Sequence, residues 1–162
     1  MPPSPPEPAT PSAELVGATS APILLGREPV DVEFEIDAPT GPARLRADRS
    51  LRKVYLHVTN ITSAEAAPNY LVYLNLPSGE PAEQHPELRV GTLAMFGLRE
   101  SSRRDERHPG NGLSFRFDVT GIVLRLVAEE HWDAKRLRVT FVPGAWESAL
   151  AVQVGQIRLY FV

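Results

Sequence analysis

Short runs in which every second residue is apolar recur along this chain, and that two-residue period restricts its fold more than any other feature. In "VDVEFEID" (30–37), Val30, Val32, Phe34 and Ile36 alternate with four acids. Successive side chains of a strand point to opposite faces, so such a run is a strand with one dry and one wet face. The acid ladder reads as that wet face rather than as a cation site. "LRKVYLHVTNI" (51–61) sets Val54, Leu56 and Val58 on one side and Tyr55, His57 and Thr59 on the other. "LSFRFDV" (113–119) aligns Leu113, Phe115, Phe117 and Val119, and "RLRVTFVP" (136–143) aligns Leu137, Val139 and Phe141. "NYLVYLNLP" (69–77) is apolar on both faces, which predicts a central strand covered from both sides. "LRVGTLAMFGL" (88–98) is a further strand, with Gly91 and Gly97 as bulge or close-approach positions. A short edge strand is expected at Ile23–Leu25. In "ALAVQVGQIRLYFV" (149–162) the apolar parity flips across Gly155, which predicts a bulge there.

One segment abandons the alternation. From Thr120 onward, Ile122, Val123, Leu126 and Val127 form a helical stripe. The Thr120 hydroxyl, with Asp118 just upstream, is expected to cap that helix. Seven or eight strands, one short helix and no internal repeat predict an all-β fold, an antiparallel β-sandwich with the helix at an end or edge. Residues 13–162 read as one sandwich domain. Residues 1–12, "MPPSPPEPATPS", read as a Pro-rich linker or tail. A linker with nothing before it implies either a natural tailed protein or an upstream domain that is missing, and the second is the expectation. "RESSRRDERHPGNG" (99–112) is a charged loop whose Gly110 and Gly112 serve a hairpin.

Composition excludes several classes. Seventeen basic residues lie scattered among twenty acidic ones, for a net charge of −3, so no surface suited to a phosphate backbone is expected. There is no cysteine, hence no disulfide framework and no thiolate metal site. No signal peptide and no long apolar run is visible, so the polypeptide reads as soluble and not membrane-bound. A cysteine-free chain is compatible with a cytoplasm but does not fix the compartment.

The residues that carry chemistry elsewhere are not grouped here. The four histidines, His57, His85, His108 and His131, are far apart in sequence, so no helical or strand metal pair exists. Ser101, Ser102 and Ser114 lie near histidine in sequence, yet none sits in a nucleophile-elbow motif. The carboxylate pairs Glu129–Glu130 and Asp105–Glu106 lack an apolar setting that would raise a pKa for acid–base work. Trp132 and Trp146 together would make a stacking platform if both were exposed. The plainer reading of Trp132, just after the helix, is that it closes the end of the core. On residues alone the chain reads as a non-enzyme.

"FRFDVTGIVLRLVAEEHWDAKRLRVTFVP", followed by "VQVGQIRLYFV", resembles the C-terminal β-rich domain of bacterial tyrosinase and polyphenol oxidase proteins. "AELVGATSAPILLG", "VYLHVTNITSAEAAPNYLVYLNLP" and "GTLAMFGL" agree in the same order, so the likeness covers residues 13–162. The resemblance implies that phenol oxidation by a dinuclear type-3 copper centre belongs to a separate helical domain. No catalytic residue, metal ligand or cofactor carries over to this chain, and copper is implied only for that partner. The domain would pack on the copper domain, in the same longer chain or separate, and shield or stabilise it. Partner-facing candidates are Met95, Phe96 and Trp146, with Arg103 and Arg104 in a charged rim beside Arg99 and Asp105. The plainer alternative puts all three apolar residues in the core. A large exposed apolar patch is expected under the packing reading. The rival reading is a free-standing module for a carbohydrate or small ligand, using Trp132 and Trp146 on one exposed face. A third is a hydrolase whose site is assembled from distant residues.

Overall fold

The computed structural model describes residues 13–38, 53–107, 109–145 and 151–162. The Pro-rich stretch, the basic connection after Ala38, His108 and Trp146 therefore lie outside the described residues. Nine strands are present among those described: β1 (Glu14–Ala18), β2 (Ile23–Leu25), β3 (Val30–Glu35), β4 (Val54–Thr62), β5 (Tyr70–Leu74), β6 (Arg89–Leu93), β7 (Leu113–Asp118), β8 (Arg136–Pro143) and β9 (Val152–Phe161). Two helices, α1 (Leu98–Ser101) and α2 (Thr120–Ala128), and two 3-10 turns at Ala82–Gln84 and Pro86–Leu88 complete the order.

The strands form two antiparallel sheets, as the alternation predicts. Sheet A runs β1-β9-β4-β7, with β2 also on β9, and sheet B runs β3-β8-β5-β6. The dry faces meet: Leu56, Val58, Ile157 and Leu159 of sheet A and Tyr70, Val72, Val139 and Phe141 of sheet B are each 0% exposed. Tyr70 satisfies its hydroxyl inside that core by donating to the Gly26 carbonyl at 2.9 Å. The acid ladder of β3 is indeed a wet face. Glu33 pairs with Arg138 at 2.5 Å and Asp31 accepts from the Thr140 hydroxyl, both across the β3–β8 ladder.

Four expectations change. The strand count rises because β1 pairs with β9 through a bulge between Leu15 and Gly17 that hides its alternation. Gly17 is required there, since a Cβ would lie 2.5 Å from the Ile36 side chain. The segment 88–98 is a strand only to Leu93, after which it turns into α1, so the helix count also rises. Thr120 does not cap α2. Asp118 Oδ1 instead accepts from the Thr120 amide (3.0 Å) and hydroxyl (2.6 Å), while the Thr120 oxygen accepts from the Val54 amide at 2.9 Å. The hydroxyl thus ties the helix start to the central strand.

The parity flip at Gly155 is real but has another cause. Strands β4 and β9 pair without a register break across this point. The residue opposite, Asn60, has φ +55°, and β4 slips against β7 between Val58 and Ile61. Both paired strands therefore change faces at one rung. A side chain on Gly155 would place its Cβ 2.7 Å from that of Asn60. Gly91 is the close-approach position foreseen, since a Cβ there would lie 2.8 Å from the Phe117 ring. Helix α2 ends in a Schellman motif: His131 N donates to Leu126 O (2.8 Å), Glu130 N donates to Val127 O (3.2 Å), and Glu130 is left-handed at φ +61°. Among the described residues no helix is long and apolar enough to cross a membrane.

Candidate functional site

Where β6 ends, the chain makes a tight turn whose tip carries Phe96. Leu98 N donates to Met95 O at 3.1 Å, and Gly97 at φ 78°, ψ 5° holds the left-handed third position of a type II turn. The shoulders of this turn are anchored, with Met95 only 3% and Leu98 only 1% exposed. Asn69 adds a fastening: its Oδ1 accepts from Met95 N at 2.9 Å, and its carbonyl accepts from Gly144 N at 2.9 Å. Behind the turn, the Ser102 hydroxyl donates to Leu98 O (2.6 Å) and accepts from Ser63 N (2.9 Å), which binds α1 to the end of β4. On this braced base the Phe96 ring is 96% exposed. A shallow groove lies at its foot, lined by Ala66, Ala67, Asn69, Arg99 and Glu100.

The predicted partner-facing residues thus divide. Phe96 projects into solvent, and Arg103 and Arg104 are exposed in the loop that follows α1. Met95 is buried, a correction to its placement on the surface, because the turn spends its side chain as an anchor. Trp146 lies outside the described residues. Trp132 is half-buried against the core, with its indole Nε1 enclosed and lacking a hydrogen-bond partner.

The expected large apolar patch is not found among the described residues. The exposed large hydrophobics are Leu15 (51%), Leu24 (66%) and Phe96 (96%). Leu15 and Leu24 pair with Tyr160 and Gln153 on β9, positions roughly 20 Å apart along the strand. At the foot of Phe96 the groove is of mixed character, with Ala66 and Ala67 beside Asn69, Arg99 and Glu100.

Several of the other reactive side chains are engaged in structure. Ser101 and Ser102 both donate to Leu98 O, and Ser114 accepts from Asn60 N. Glu129 pairs with Arg125 at 3.0 Å, one helical turn away. His85 sits between two carboxylates, Glu87 on Nδ1 at 3.0 Å and Glu80 on Nε2. These hydrogen bonds, that of Glu87 foremost, raise its pKa above the ordinary imidazole value. Among the described residues no three His, Cys, Asp or Glu side chains come together so as to hold a metal ion.

One cluster escaped the sequence reading. Tyr55, His57 and Thr59 point outward from sheet A as the pattern required, but nothing in the alternation said what flanks them. Arg116 of β7 and Arg158 of β9 stand on either side of His57 on one rung.

Three kinds of likeness bear on the Phe96 turn and its frame. A family described as "Domain of unknown function (DUF7868)" matches residues 12–161. Tyrosinase HcTyr1 of Hahella sp. (strain CCB-MM4) is 27% identical over 157 residues, which cover 94% of this chain and 33% of that protein. The chain thus spans about a third of the length of this relative. Among solved structures, latent apple tyrosinase superposes with a TM-score of 0.55 at 18% identity, over 87% of this chain and 27% of that one. Recombinantly expressed latent aurone synthase (polyphenol oxidase) gives 0.58 at 17%, over 89% and 26%. At these identities the two structures share the fold.

Proposed function

Because the chain belongs to the DUF7868 family and fits the C-terminal domain of tyrosinase-type proteins, we propose that it is a non-catalytic β-sandwich that packs on and shields a type-3 copper oxidase domain. Phenol oxidation is then the work of that helical partner, in the same longer chain or separate, and copper belongs to the partner alone. The observation that carries this reading is the geometry of Phe96. A ring so exposed, on a turn whose flanking side chains are both buried, is held out by the fold and not left out by slack in the chain. Exposing an aromatic ring forgoes roughly 2 kcal/mol of burial free energy, which a partner pocket would recover. Arg103 and Arg104 fit a charged rim that sets orientation more than affinity.

The test uses the two thirds of the Hahella tyrosinase that this chain does not match, expressed alone. Wild-type chain is expected to co-elute with it and to slow diphenol oxidation. Phe96→Ala should still co-elute, since the turn keeps its anchors, but should release the inhibition. Failure of the wild-type chain either to bind or to slow turnover would falsify the shielding role.

A further inference from the structure

On the outward face of sheet A, three side chains able to carry positive charge form a single cross-strand row. Arg158 of β9 is directly opposite His57 of β4, and His57 is directly opposite Arg116 of β7. Neighbouring strands lie roughly 5 Å apart, so like charges on one rung cost the sheet stability. Among the described residues, neither arginine has a carboxylate within ion-pair reach. Asp118, two residues from Arg116 on the same strand, is already held by Thr120 and Lys53. Elsewhere the same chain spends its arginines on acids, as Arg138 and Arg125 do. In this row two arginines instead flank a histidine on one rung.

The arginines are posed rather than loose. The Arg116 guanidinium lies over the Tyr55 ring, 4.1 Å from its centroid. Arg158 Nη1 donates to the Tyr160 hydroxyl at 3.2 Å, and the Tyr160 ring lies 4.7 Å from that of His57. Arg158 Nε is enclosed and without a hydrogen-bond partner, so the guanidinium is held by its burial as well as by Tyr160. An oxyanion suits the outward ends of the two guanidiniums, since carboxylate, sulfate and phosphate offer several acceptors to a guanidinium fork.

We propose that Arg116 and Arg158, on either side of His57, form an oxyanion-binding site walled by Tyr55 and Tyr160. The bound group is a carboxylate, sulfate or phosphate, supplied free or by an acidic side chain of another protein. The proposal stands on this face alone and does not depend on the shielding role of Phe96.

His57 reports on the site. Burial, and then the charges of Arg116 and Arg158, hold its pKa below the ordinary imidazole value. An anion between the guanidiniums reverses the electrostatic part of that effect. NMR titration of His57 is followed in sodium chloride, in sodium sulfate at equal ionic strength, and with a glutamate-rich peptide, with His85 as an internal reference. Sulfate or the peptide should raise the His57 midpoint saturably and leave that of His85 in place. A response to both means the site takes free oxyanions, and a response to the peptide alone means a protein supplies the carboxylate. In Arg116→Gln and in Arg158→Gln the dependence should weaken about tenfold, the worth of one charge-assisted hydrogen bond. Equal midpoints in all three media, or an undiminished response in the exposed-face variant Arg116→Gln, would overturn the assignment.

Discussion

Asp118 and His85 respond to pH in opposite senses. The Thr120 hydroxyl, then its amide and the Lys53 ammonium, hold the Asp118 carboxyl below the ordinary range. A carboxyl depressed by folding contributes stability above its unfolded pKa of about 4, and that contribution fades as pH falls through the lower folded value. His85 is raised by Glu87 and Glu80, so its contribution is full below about 6.5 and is lost as pH rises through the higher folded value. Thermal unfolding across pH should show Asp118→Asn losing its deficit towards acid pH, and His85→Ala losing its deficit towards alkaline pH. Glu130 offers a stabilising change. At φ +61° it bears the left-handed strain that glycine avoids, so Glu130→Gly should gain about 0.5–1 kcal/mol in urea unfolding.

At the scale of elements, position in the sheet decides what an inward side chain is worth. Phe141 of β8 is 0% exposed, between β3 and β5. Phe117 faces the same interior from β7, at the edge of its sheet, and is only partly buried against the core. The alternation assigns both to the dry face but cannot rank them. Phe141→Ala should therefore cost about 3–5 kcal/mol and Phe117→Ala about half of that, read from denaturant midpoints. Equal losses would mean that position at the sheet edge does not lower what the ring is worth. Glycine carries the corresponding lesson for backbone. Gly112, at φ +73°, lies where a Cβ would fall 1.8 Å from the Ile61 carbonyl oxygen. The hairpin residue foreseen in "HPGNG" is thus also the point where the loop presses on the slipped register of β4.

For the molecule as a whole, the sandwich is a frame that presents two unlike surfaces. One end projects Phe96 from a fixed turn, and the outward face of sheet A displays the arginine row. Under the proposed role, the purified chain alone, with copper added, should neither oxidise diphenols nor retain the metal through desalting. Oxygen uptake and metal analysis of the eluate measure the two outcomes. Turnover by the isolated chain would sink the accessory reading, because the chemistry would then belong to this polypeptide and not to a helical partner.

Much of this architecture was legible because a strand must alternate wherever one face is dry. Val32, Phe34, Val58 and Phe141 announce the sheets without reference to any neighbour, and the stripe at Val123 and Leu126 announces the helix in the same way. What the pattern could not contain were facts about pairs of distant residues. The burial of Met95 beside the exposure of Phe96 depends on a turn braced by Asn69, twenty-six positions earlier. The flip at Gly155 needed Asn60 opposite it, and the row at His57 needed strands 57, 116 and 158 to meet on one rung. Periodicity is a property of one strand and is written locally. Register, and with it the company each outward side chain keeps, exists only after the sheets have closed.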